Sequence, residues 1–384
     1  MDRPSAFITE ETEGAAIIYR PLPDLRRLYV EATNRCDAGC VMCMRRTWNE
    51  AQGDLDYDLF QGLMREVPRF PALEWLFFGG FGEPLLHPRL PDMIAEARRA
   101  GLRIKISTNG QYLPVLASEV VKRGVEEIIV SCDSPRENTY ASLRGGSLGR
   151  LEEGIEALNE AKKRYGSPFP RLVLEFVAMK RNLEELKELP VLAARWGAAS
   201  LLVTNLLPYS EGLKEEILYS YADAPRILRS GGFTPERPAD IAGTIWKAAA
   251  EKWFTWGTVK LPRNVWGAFR RCSFVESYSA VVTWEGDVTP CYALSHSYPC
   301  FVFGRRKEVR KYSLGNLRHA GLYDIWASEE YVRFRGKVRL FRFPSCVDCE
   351  LAYTCDYPAA NQDCWGNAPS CADCLWAQDI IKCP

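Results

Sequence analysis

Between Leu28 and Thr204 the chain alternates short apolar runs with longer segments of helical spacing. The runs fall at 28–33, 73–78, 102–107, 127–131, 172–177 and 200–204. Short stretches rich in Val, Ile, Leu and Phe suit strands buried on both faces. Between them, Leu55, Leu59, Phe60, Leu63, Met64 and Val67 recur at helical intervals after a cap at Asp54, as do Leu151, Ile155 and Leu158. Strand and helix alternating at this length predict βαβ units and a parallel sheet, the α/β class. Six such units cannot close an eight-fold barrel, so the expected fold is a partial (β/α)6, TIM-like barrel. Ligands of such sheets lie at the C-terminal ends of the strands.

Three cysteines stand at the end of the first run, Cys36, Cys40 and Cys43, spaced C-x3-C-x2-C. Taken alone the triplet could be part of a zinc site; three thiolates offered to a four-iron cluster would instead leave one iron open, which marks a chemical site rather than an electron carrier. The chain holds 14 cysteines. Cys132 stands alone and the others lie from Cys272 onward, a clustering that in a reducing compartment points to metal rather than disulfides. No apolar signal segment and no run long enough to span a membrane is evident, so the cytoplasm is the expected location. The 49 basic and 49 acidic residues cancel, which argues against a nucleic-acid footprint. From Asn205 to Arg271 the pattern loosens around Pro208, Gly231, Gly232, Pro235, Pro238 and Pro262, with a helical piece expected over 245–253.

Other strand ends carry further candidates. The second run leads into Gly79-Gly80-Phe81-Gly82-Glu83-Pro84, where glycines let a backbone approach a ligand. The third leads into Ser107-Thr108-Asn109-Gly110, which suits either a polar contact or a plain turn. Ser131 and Asp133 follow on the fourth, with Cys132 between them facing the core; Glu175, Lys180 and Asn182 are weaker candidates. The three histidines, His87, His296 and His319, show no ligand spacing and are read as structural or surface residues. At the C-terminus, Cys272-x13-Gly286-x4-Cys291 is followed by Cys346-x2-Cys349-x5-Cys355, then Cys364, Cys371-x2-Cys374 and Cys383. These cysteines alone would also suit structural zinc.

The cysteine triplet followed by the glycine run resembles the radical S-adenosylmethionine (radical SAM) superfamily. The resemblance implies a [4Fe–4S] cluster on Cys36, Cys40 and Cys43. It places SAM against Gly79, Gly80, Gly82, Glu83, Ser107, Asn109 and Ser131. Met42 stands where that family usually has an aromatic residue, and would pack against the adenine. The C-terminal pattern resembles the SPASM extension, implying two more [4Fe–4S] clusters, about three in all. Their ligands would come from Cys272, Cys291, Cys346, Cys349, Cys355, Cys364, Cys371, Cys374 and Cys383. Cys346, Cys349 and Cys355 would share one cluster, and Cys272 and Cys291 would belong to the other. The pattern departs from that family after Cys355, where eight residues rather than three precede the next cysteine. The expected organisation is an N-terminal extension (1–26), a radical SAM core (27–205), a bridging region (206–271) and a SPASM-type auxiliary domain (272–384).

The stretches 78–88 and 363–376, with Met44-Arg45-Arg46, are similar to the tungsten-cofactor oxidoreductase maturases. That resemblance implies a tungsten-containing oxidoreductase or its cofactor as substrate, and a low-potential donor such as ferredoxin or flavodoxin. A peptide- or protein-modifying radical SAM enzyme would share every cluster motif. An iron–sulfur electron-transfer protein would not need the glycine run.

Overall fold

Most of the apolar runs form strands buried along nearly their whole length, whereas the run Arg-Ile-Lys-Ile-Ser-Thr alternates buried and half-buried positions. In the computed structural model, residues 7–221, 258–263, 265–266, 270–352 and 354–383 are described. A hairpin of β1 (Ile8–Thr12) and β2 (Ala15–Tyr19) comes first. The six expected strands follow as β3 (Arg27–Val30), β4 (Trp75–Phe78), β5 (Arg103–Thr108), β6 (Glu127–Ser131), β7 (Arg171–Ala178) and β8 (Ser200–Asn205). They run parallel, in chain order, with Val30 beside Phe78 and Phe78 beside Ile106.

The sheet is wider than the sequence suggested. After a two-residue strand β9 (Ser220–Tyr221), strand β10 (Thr258–Lys260) joins β8 in parallel at one edge. Strand β11 (Val265–Trp266) pairs with β9. At the other edge β12 (Ser279–Val282) runs parallel to β3, with β13 (Val288–Thr289) antiparallel beyond it. Among the described residues the result is a nine-stranded sheet whose end strands, β10 and β13, are not paired with each other. β10 is too short to show a period, and β12 is only four residues long, with no helix of β/α spacing ahead of it among the described residues. The helical piece expected over 245–253 lies outside the described residues.

Between the strands sit α1 (Tyr57–Glu66), α2 (Leu90–Arg99), α3 (Leu113–Lys122), α4 (Glu137–Arg144), α5 (Leu148–Tyr165) and α6 (Leu189–Trp196). The cap of α1 is Asp56, which accepts the Asp58 and Leu59 N–H groups, not Asp54. Asp54 instead holds Arg35, next to the first cysteine, through two hydrogen bonds of 2.9 and 2.6 Å. Leu151, Ile155 and Leu158 line the buried face of α5, whose cap Ser147 accepts the Arg150 N–H. One apolar core joins these helices to the sheet, including Leu28, Val30, Phe60, Leu76, Ile104, Ile128, Leu174 and Leu201. Each such side chain contributes ~1.5–3 kcal/mol by leaving water.

Beyond β13 come the hairpin β14 (Tyr298–Val302) and β15 (Arg305–Val309) and helices at Leu322–Ala327 and Glu329–Arg339. The cysteine-rich tail from 340 forms turns, with one short 3-10 helix at Tyr357–Ala360. Trp326 ties this region back to the N-terminus, its indole N–H donating to the Leu22 carbonyl at 2.9 Å. Among the described residues, no helix is long and apolar enough to cross a membrane.

Candidate active site

The loop after β3 carries Cys36, Cys40 and Cys43, all half-buried and all lining one cavity of ≈ 260 Å³ at the C-terminal ends of the strands. The loop lacks regular structure, so neighbours must hold it. Its Gly39 and Val41 N–H groups donate to the Arg144 and Leu143 carbonyls at 3.1 and 2.9 Å. The Asn109 amide donates to Asp37 at 2.8 Å and lies 3.9 Å from Cys36 Sγ. Burial pushes the Cys36 thiol up to about 12 and the Cys43 thiol up to about 11. Met42 also lines the cavity and packs with Leu143, Met179 and Leu206.

The glycine run after β4 forms the facing wall, with Gly80, Gly82 and Glu83 on the cavity, whereas Gly79 does not line it. A Cβ on Gly82 would lie 1.9 Å from the Thr33 carbonyl oxygen, and Gly80 has φ +133°, so neither position admits a side chain. Glu83 is a strut as well as a lining residue. Its carboxylate accepts from the Thr108 hydroxyl (2.7 Å), the Asn109 N–H (2.7 Å) and the Leu85 N–H (3.0 Å), locking the glycine wall to the end of β5. Burial nevertheless pushes its carboxyl up to about 7.

Ser107, Asn109, Ser131 and Glu175 complete the strand-end lining. Asp133 and Asn182 do not line it: Asp133 is fully buried against Arg144, and Asn182 hydrogen-bonds the Asp133 and Val177 carbonyls. Lys180 is exposed, and Cys132 is buried with its thiol 3.3 Å from the Ser134 carbonyl. His87 is buried against the Leu55 carbonyl, and His319 is exposed.

Arg144 also lines the cavity, and nothing in the sequence singled it out. Its guanidinium pairs with Asp133 at 2.6 Å, approaches Cys40 Sγ at 4.0 Å and faces the cavity, a buried cation beside the cysteine loop. An arginine closing a short helix before Gly145 resembles any surface helix end, so no local signal sets it apart.

The C-terminal tail roofs the cavity with Trp376, Ile381, Lys382 and Cys383. It is docked on the strand ends: the Lys382 N–H donates to Thr204 and the Asn205 amide to the Ile380 carbonyl. Cys383 thus faces the main cavity, its sulfur accepting the Trp376 indole N–H at 3.0 Å. Cys272, Cys291, Cys371 and Cys374 line a second, smaller pocket together. Cys346 lies near Cys364, and Cys355 lines a groove with Lys307 and Asp373. Cys349 and Cys364 are exposed. Two further thiols, Cys132 and Cys300, are buried.

Among the described residues, no three His, Cys, Asp or Glu side chains converge as a single metal ion requires. A tetrahedral zinc with bonds of about 2.3 Å would need its sulfurs within roughly 4 Å of one another. Thiols set around a cavity, beside a wall stripped of side chains, suit a cluster with room for a small ligand. Three thiols on one cavity, Cys36, Cys40 and Cys43, are a donor set of the kind an iron–sulfur cluster with an open position takes.

Residues 30–190 match the family model of the Radical SAM superfamily, and residues 272–350 match SPASM, an iron-sulfur cluster-binding domain. The chain is 37% identical, over 94% of its length and 97% of the relative's, to a tungsten-containing aldehyde ferredoxin oxidoreductase cofactor-modifying protein of Pyrococcus furiosus. A shorter match, 32% identical over 52% of this chain and 55% of the relative, is to an AdoMet-dependent heme synthase of Methanosarcina barkeri. Among solved structures, Streptococcus suis SuiB bound to S-adenosylmethionine superposes with a TM-score of 0.59 at 14% identity, over 89% of this chain and 77% of that one. For anSMEcpe with bound AdoMet the TM-score is 0.57 at 13% identity, over 88% and 92%. At those identities the likeness is one of fold.

Proposed function

Because this chain belongs to the radical SAM superfamily, among the maturases that carry a SPASM domain, we propose that it matures a tungsten-containing oxidoreductase by modifying its cofactor. The observation that carries this reading is the 37% identity to the cofactor-modifying protein, which spans 97% of that relative. It also covers 94% of this chain, far more than the 30–190 span of the radical SAM match alone.

Family membership brings [4Fe–4S] clusters and SAM. In the proposed site Cys36, Cys40 and Cys43 hold the cluster with the open iron. Held there, the cluster would supply the electron for reductive cleavage of SAM, and with it the radical chemistry that takes hydrogen from a substrate. The protein's part is binding, orientation and exclusion of water. Gly80 and Gly82 bring bare backbone against the ligand, while Ser107, Asn109 and Ser131 offer small polar groups at the strand ends. Arg144 supplies a fixed positive charge to an anionic group of the ligand. Met42, Leu206, Leu207, Trp376 and Ile381 form an apolar surround that keeps water from a reactive species.

We assign Cys272, Cys291, Cys371 and Cys374 to one auxiliary cluster, since they line one pocket, and Cys346, Cys349, Cys355 and Cys364 to the other. Cys383 stays outside both sets on this assignment. The domain limits proposed are a core over 27–205, a bridging region over 206–271 and an auxiliary domain over 272–384. A ferredoxin- or flavodoxin-type donor would supply the electrons.

The test is to purify the tungsten oxidoreductase from cells lacking this gene and incubate it with reconstituted protein, SAM and reductant. A gain in oxidoreductase activity with a mass change in the extracted cofactor is expected. No change, alongside competent SAM cleavage, would reject the tungsten reading and leave the radical SAM activity standing.

A further inference from the structure

His296 lies just behind the cavity wall, with 1% of its side chain exposed. Its Nδ1 is 2.5 Å from Glu50 Oε2, and its Nε2 is 3.1 Å from both oxygens of Glu31. Carboxylates accept, so both ring nitrogens donate, which only the imidazolium can do. The three residues come from distant stretches: Glu31 follows β3, Glu50 follows the cysteine loop, and His296 lies between β13 and β14.

Each partner leads on to the site. Glu31 accepts the Phe81 N–H at 3.3 Å, and a Cβ on Gly80 would come within 3.1 Å of its side chain. Trp48 packs on the imidazole, with centroids 4.3 Å apart, and meets Phe81 edge-on at 5.9 Å. Glu50 also accepts the Ser297 N–H at 3.0 Å, so the loop after the cysteines is held twice by the C-terminal region.

We propose that His296 is a positioning residue for SAM binding: clamped between Glu31 and Glu50, its cation fixes the glycine wall and the cysteine loop from the side of the C-terminal region. Without it two carboxylates face one desolvated spot, and the Glu31 contact under Phe81 and Gly80 loosens. SAM affinity then depends on a residue that never touches SAM. The inference rests on SAM as the cavity's ligand and is independent of the tungsten reading.

The clamp has a pH signature. Burial alone would lower the imidazole; the Glu31 charge and the hydrogen bonds to both carboxylates outweigh it and raise it to about 9. The titratable groups facing the clamp are Glu31, Glu50, Lys311 behind Glu50, and Tyr292 near Glu31. Since about 9 exceeds the free value of ~6.5, the clamp is complete below the free value and is released as pH rises through about 9.

The experiment is equilibrium dialysis of labelled SAM against anaerobically reconstituted full-length protein from pH 7 to 10, with iron counted in every sample. His296→Gln should bind SAM about tenfold more weakly at pH 7.5 with unchanged iron. Its affinity should also lack the step near pH 9 that the parent shows. Titration of SAM's own amino group is common to both proteins, so the difference between the profiles isolates His296. Should His296→Gln fail to fold, Glu50→Gln, which keeps the Glu31 contact, should weaken binding and move the step to lower pH. SAM affinity within twofold of the parent with a parallel pH profile, in either variant that folds, would overturn the proposal.

Discussion

A single methyl group tests the glycine wall most sharply. On Gly82 it would meet the Thr33 carbonyl at 1.9 Å, on the stretch that leads into the cysteines, and backbone has no flexible end to move aside. Gly82→Ala should therefore cost ~1–3 kcal/mol, as overpacking does. Thermal unfolding should register the loss together with weaker SAM cleavage. Arg144 raises the opposite problem, that of a charge left behind. Arg144→Met would strand the fully buried Asp133, and denaturant titration should show a loss of ~3–5 kcal/mol, partly recovered when Asp133 is also neutralised. Glu83 sets a pH slope. Burial holds its folded pKa near about 7, above the unfolded value of ~4.3. The stability tied to its protonated form is thus complete below the unfolded value and is lost as pH rises to about 7, a difference of ~4 kcal/mol. Glu83→Gln should flatten stability over that range.

At the scale of elements, the central strands were legible because buried parallel strands carry continuous apolar runs, and β5, the exception, shows a clean two-residue alternation instead. The cap of α1 was misplaced by two residues. Asp54 and Asp56 look alike in sequence, and only the demand of Arg35 for a partner decides between them. β12 was not legible: Ser-Ala-Val-Val is an ordinary strand, but nothing local says that it completes a sheet begun some 250 residues earlier. Its pairing carries a consequence. A chain ending before β12 would leave the β3 edge open next to the cysteine loop, and open apolar edges promote association. Residues 1–271 expressed alone should aggregate or stay unfolded in size-exclusion chromatography. A monodisperse, cluster-binding fragment would contradict this.

For the whole molecule, the structure makes the C-terminal region part of the site rather than an appendage. It lends a strand to the sheet, the Trp376–Cys383 roof to the cavity and His296 to the glycine wall. The cysteine triplet and glycine run could be read as site residues because their spacing is local. Arg144, the roof and the His296 clamp could not, since each depends on contacts between residues far apart in the chain. The central claim is that Cys36, Cys40 and Cys43 hold the one cluster that cleaves SAM. It is tested most directly by anaerobic reconstitution, iron counting and assay for 5′-deoxyadenosine after reduction with SAM. The parent should hold roughly twelve irons and form 5′-deoxyadenosine, whereas the triple cysteine-to-alanine variant should keep about eight and form none. Cleavage by the triple variant, or none by the fully loaded parent, would contradict the account.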